Sequence, residues 1–212
     1  MLGTERIQSL ITAPWVMWVM LFTLLLFLIA YIHQPHLMRT AWYMVFKRQD
    51  RVYNDAAVIG ISSLELRFFC LLTASMSLAI AMKEGSVFRF GYYALVVACV
   101  LGWYIVRWCI RECIAWVGKL KHYGFPKGFM MSLCFILTTV LYVINLGFIW
   151  IPNARVWTVL MGIVLLLWLV MIWIKHYSFF VHDWKTFLGC LSYWVIVEVG
   201  SLVGLYFLIK VL

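Results

Sequence analysis

Six runs of apolar side chains dominate this chain, near residues 14–32, 68–82, 91–110, 129–151, 156–174 and 187–209. About 20 helical residues cross the hydrocarbon core of a bilayer. A helix suits that setting because it satisfies its own backbone N–H and C=O groups without water. The runs therefore predict an all-α fold, a polytopic transmembrane helix bundle of about six spans making one domain over residues 1–212. The second run is the shortest. It extends back to Leu64 if Glu65 and Arg67 lie at the interface, and a tilted or re-entrant segment is the alternative. The third can continue through Trp116.

Composition agrees. Of 212 residues, 66% are hydrophobic and 12% charged, with a mean hydropathy of +1.00. A soluble enzyme, a disordered chain and a disulfide-knit module are excluded on those figures. The aromatic share of 18%, with 12 Trp and 11 Tyr, suits side chains seated between lipid and headgroups. Run 14–32 is longer than a signal-peptide core, and no small-x-small site follows in Tyr31-Ile32-His33-Gln34-Pro35, so it reads as a retained first span.

The net charge of +9 comes from 17 Lys+Arg against 8 Asp+Glu. The basic residues stand singly or in short clusters beside apolar runs, which points to anionic lipid headgroups rather than nucleic acid. In the six-span arrangement twelve basic residues fall on one side and five on the side of both termini. The basic side is then cytoplasmic and both termini periplasmic. On the cytoplasmic side Leu37, Met38, Ala41, Trp42, Val45 and Phe46 recur at helical spacing, with Arg39, Lys47 and Arg48 around them. That pattern predicts an amphipathic helix near 37–48 lying in the headgroup layer. Arg107 and Arg111 sit at the inner end of the third span. With Arg39, Lys47 and Arg48 they are candidate contacts to anionic lipid or to a protein partner.

Few residues invite chemistry. Glu198 is the one carboxylate deep in a span, where a charge faces the bundle, pairs, and marks a site, or is held by packing hydrogen bonds to Asn145 or a Tyr. Asn145 suits an interhelical hydrogen bond, and Gly200 and Gly204 a close helix contact. The histidines His33, His36, His122, His176 and His182 all fall on the cytoplasmic side. His33, His36, His176 and His182 are weak metal or haem candidates, since histidine is also ordinary at an interface. The six cysteines form no CxxC pair and read as small buried hydrophobes, though Cys109 and Cys113 share a helix face and could bind metal. No P-loop, nucleophile elbow or HExxH occurs, so the sequence leans away from an enzyme, and no cofactor is expected.

Three stretches resemble a known family. They are Trp42-Tyr43-Met44-Val45-Phe46-Lys47 with Leu64-Glu65-Leu66-Arg67; then Asn145-Leu146-Gly147-Phe148-Ile149-Trp150-Ile151-Pro152; then Phe179-Phe180-Val181-His182 followed by Tyr193 and Glu198. From about residue 37 onward the chain is similar to the Bacteroidetes integral membrane family catalogued as domain of unknown function 4271. The resemblance implies a bacterial inner-membrane protein with no assigned activity. It also implies an in-membrane Glu near an aromatic, which adds Tyr193 to Glu198 and Asn145 as an intramembrane polar site. One departure is Ser201, where the family often has Pro three residues after the Glu.

Three functions are compatible with these features. The first is a non-catalytic subunit that binds or scaffolds a membrane protein partner. The second is a carrier for a lipid-linked or anionic solute using Glu198. The third is a haem or metal protein using the histidines. The orientation is directly testable. A reporter inserted in the 33–67 loop is expected to read out from the cytoplasm, and reporters at either terminus from outside it. Terminal reporters in the cytoplasm would reverse the arrangement.

Overall fold

Pro14 opens the first described helix, a position where its missing N–H is no loss. In the computed structural model, which describes residues 14–46, 63–82, 90–117, 127–150, 154–180, 191 and 194–211, helix α1 runs Pro14–His33. It stops before Pro35, whose ring disfavours helical geometry at Gln34. The chain turns there, with the Gln34 N–H donating to the Ala30 carbonyl at 3.0 Å and the Leu37 N–H to Gln34 at 3.0 Å. Helix α2 comes next at Leu37–Phe46, then α3 at Leu64–Met82, α4 at Phe90–Val117, α5 at Lys127–Trp150 and α6 at Ala154–Phe180. A π-helical turn, Trp194–Gly200, leads directly into α7, Ser201–Val211. Among the described residues there is no strand, and the architecture is an all-α bundle.

Among the described residues four helices are long and apolar enough to cross a membrane: α1, α3, α4 and α5. Shorter apolar stretches occupy Thr158–Ile174 within α6 and Glu198–Ile209 at the end of the chain. This is compatible with a multi-pass membrane protein, and the outward faces agree. On α1 the exposed side chains include Trp18, Leu21, Phe22 and Leu25; on α6 they include Val159, Leu166 and Leu167.

The centre of the bundle is α3 and α5. About half of each span is buried (56% and 50%), against 22% for α1 and for α4. Helix α3 packs against α1, α4 and α5, and α5 also meets α2 and α6. Small side chains make α3 suited to that place. Thr73, Ser75, Ser77 and Ala79 are all buried and let neighbouring backbones approach. Larger rings fill the α1–α3–α5 junction, where Phe27 lies 5.5 Å from Phe69 and Phe69 lies 5.9 Å from Tyr142. Hydroxyls tie helices together through backbone carbonyls. Tyr142 on α5 donates to Met20 on α1 at 3.0 Å, and Tyr93 on α4 donates to Leu72 on α3 at 3.2 Å.

Helix α2 falls within the stretch expected to form an amphipathic helix. Its apolar positions are two rows, not one stripe. Leu37, Ala41 and Val45 are buried, while Met38, Trp42 and Phe46 are exposed one residue further round. The helix therefore docks on α5 rather than resting on headgroups alone. The exposed row is held together, with Trp42 and Phe46 rings 4.2 Å apart and the Arg39 guanidinium 5.5 Å over Tyr43. Lys47 and Arg48 lie outside the described residues.

Unfolding in detergent micelles ranks these contacts. Phe69→Ala is expected to lower stability by about 3 kcal/mol, through lost contact and a residual cavity. Tyr142→Phe, which removes one interhelical hydrogen bond, is expected to cost about 1 kcal/mol.

Candidate functional site

Arg107 lies about one helical turn inside the Ile110 end of the apolar part of α4. One nitrogen of its guanidinium, Nη2, donates to both carboxylate oxygens of Glu198 at 2.6 Å. The Glu198 side chain is 1% exposed and that of Arg107 11%. Taking two ions from water is costly by several kcal/mol each, and only close pairing offsets it. Two indole rings complete the setting. The Arg107 guanidinium carbon lies 5.4 Å from the Trp103 ring centre and 5.0 Å from that of Trp168, within cation–π range of both. The two rings meet edge to face at 6.3 Å. Trp103 stands four residues before Arg107 on α4, hence on the same face, and Trp168 comes from α6.

The carboxylate is carried on distorted backbone. Glu198 lies in the π-helical turn Trp194–Gly200, a geometry that is rare and concentrated at functional sites. At the end of that turn a Cβ on Gly200 would lie 3.3 Å from the Val195 carbonyl oxygen, tighter than most side chains tolerate. The Ser201 hydroxyl donates to the Glu198 carbonyl at 3.3 Å. The last helix is thus irregular beside the carboxylate although position 201 is not Pro.

A second polar cluster joins α3 and α5. Asn145, fully buried, donates through Nδ2 to the Thr73 carbonyl at 3.2 Å and accepts at Oδ1 from Ser77 at 3.0 Å. Ser77 Oγ also lies 3.1 Å from the Thr73 carbonyl. Near the ends of α1 and α3, a cavity of about 210 Å³ is lined by Ala30, His33, Gln34, Ser63 and Glu65.

Several expectations change. Arg107 pairs within the bundle with Glu198, which offers the countercharge. Glu198 pairs with Arg107 and not with Asn145, whose amide is engaged by α3. Gly200 and Gly204 are exposed, and among the described residues a Cβ on Gly204 would meet nothing within 4 Å. Cys109 and Cys113 are exposed rather than buried. Arg39, His33 and His36 are exposed around the α1–α2 turn. Arg111 lies in α4 and His176 in α6. Tyr193 and His182 fall outside the described residues. Among the described residues no three of His, Cys, Asp and Glu gather where they could hold a metal.

Sequence reasoning missed Trp103, Trp168, Thr73 and Ser77. A signal for the first existed: an aromatic one turn before an intramembrane Arg. Removing either charge is expected to destabilise the protein by about 3–5 kcal/mol, since it strands the other ion in the interior. The double change Arg107→Met with Glu198→Leu should recover most of that loss in the same unfolding measurement.

No family model, curated protein or solved structure matches this chain, so its geometry carries the functional reading.

Proposed function

We propose that this is a multi-pass protein of a bacterial cytoplasmic membrane that binds an anionic group at Arg107, as a carrier for a lipid-linked or small anionic solute. Glu198 is the internal countercharge that holds the guanidinium in place. One asymmetry carries this reading. The carboxylate is sealed at 1% exposure, whereas the cation is 11% exposed. Arg107 also engages Glu198 through Nη2 alone, so its Nε and Nη1 donors have no acceptor among the described residues. The half of the pair that an outside group can touch is the positive half. A guanidinium offers five N–H groups in a planar fork, which matches carboxylate and phosphate oxygens.

A second reading is a non-catalytic, partner-binding membrane subunit in which the ion pair only pins the last helix to α4. The outward row Met38, Trp42 and Phe46 favours it, as an apolar strip beside the Arg39 charge.

Thermal unfolding in neutral detergent separates the two. Dimethyl phosphate is expected to raise the melting temperature of the wild type above that in potassium chloride of equal ionic strength. Arg107→Lys, which keeps the charge but loses the fork, should weaken the effect. A wild-type melting temperature indifferent to the anion would overturn the carrier reading and leave the pinning role.

A further inference from the structure

Resting on the anion-binding reading of Arg107, we infer that binding a phosphodiester oxyanion there is coupled to uptake of one proton by Glu198.

The first support is access. Arg107 lies between Val106 and Trp108 on α4, both more than half exposed, and across from it Val195 and Ile196 on the π-turn are exposed too. The exposed part of the Arg107 side chain therefore lies beside the apolar flank of α4. It lies about one turn from the end of the apolar span. At that depth a phosphate near the headgroup layer is within reach of a long, partly buried Arg. The second support is a surplus of donors. Besides the unused edge of the guanidinium, the indole N–H of Trp103 is buried without an acceptor among the described residues, and its ring lies against Arg107. A buried donor without a partner is costly, and an oxyanion is the group that relieves such a cost.

The third support is charge balance. Arg107 is the one cation within ion-pair distance of Glu198 among the described residues. An arriving monoanion would put two negative groups on one guanidinium, beside a carboxylate that is 1% exposed. Two acidic groups sharing such a site do not both stay ionised. The other titratable neighbours are Tyr104 on α4 and Cys134 on α5, the hydroxyl and thiol 3.9 Å apart. Both are neutral in their ordinary forms near pH 7. From α6 the side chain against the guanidinium is Trp168, which does not titrate. On the same element, Tyr206 is the nearest described titratable side chain, and it is exposed. Glu198 is thus the group that absorbs the imbalance. Its carboxylate takes a proton from water and gives up the Nη2 donors, and the guanidinium turns its bonds to the phosphodiester oxygens. The site is neutral before, as Arg⁺ with Glu⁻, and neutral after, as Arg⁺ with the anion and a protonated Glu.

The test uses the full chain in neutral detergent and dimethyl phosphate, which stays a monoanion from about pH 5 to pH 8. Calorimetric titration is expected to show affinity rising about tenfold for each unit fall in pH, the slope for one linked proton. In weak buffer with a pH indicator, each bound anion should remove about one proton from solution. Glu198→Gln, which mimics the protonated carboxyl, should bind with an affinity that no longer depends on pH. If that variant does not fold, the wild-type proton count still decides. A parallel titration with short-chain phosphatidylglycerol identifies the source: tighter binding than dimethyl phosphate marks a lipid headgroup, and equal binding a free phosphodiester. Binding that is independent of pH and releases or takes up no proton would overturn the coupling and leave the anion site standing. Absence of binding by either compound would remove both.

Discussion

An ionised group in an apolar interior must find its countercharge nearby, and in this bundle that requirement organises the last third of the chain. The Arg107–Glu198 pair joins the far end of α4 to the π-turn, and Trp103 and Trp168 close over it. Desolvation makes either ion alone expensive and the pair tolerable. The same demand acts on neutral groups at lower stakes. Asn145 and Ser77 bond each other and the Thr73 carbonyl between α3 and α5, and the hydroxyls of Tyr93 and Tyr142 find backbone carbonyls on adjoining helices. Polar contacts thus connect described helices whose outward faces carry many large apolar side chains.

The division of labour among helices reflects side-chain size. Helix α3 carries Thr73, Ser75, Ser77 and Ala79 at buried positions, so neighbours can approach it from several sides. Helices α1 and α4 carry large apolar side chains over most of their surface and lie at the periphery. Apolar run length alone does not distinguish these two kinds of helix.

Much of the fold was legible in the sequence. Long apolar runs leave the backbone little choice but helix, so the run at 14–32 and the helix Pro14–His33 nearly coincide, and Leu64 and Phe90 begin the next two. Glu198 was legible as the buried carboxylate because no neighbouring residue in its run could compensate it. Its partner was not identified, although the information was present. Arg107 is the only basic residue within the six apolar runs and Glu198 the only acidic one, so neutrality alone would have joined them. An Arg near a span end reads as an interfacial anchor when each helix is considered separately. The two rows of α2 were hidden for a related reason: periodicity marks which positions are apolar, not which neighbour covers them. The π-turn left no trace in a pattern of residue types, because it is a change in backbone hydrogen bonding and not in composition.

That wide turn accommodates a surplus residue without adding a full revolution, and so sets the angular phase of the upstream segment against the downstream one. Leu205 and Ile209, four apart and both buried, seat α7 independently of the carboxyl upstream. The last helix is therefore built as two segments with separate alignments, one fixed by oil and the other by charge. Shortening it by one residue within 194–200 would swing the acid around the axis while the greasy anchor stayed seated. Such a vernier lets the chemistry of a span be retuned without dislodging the span itself.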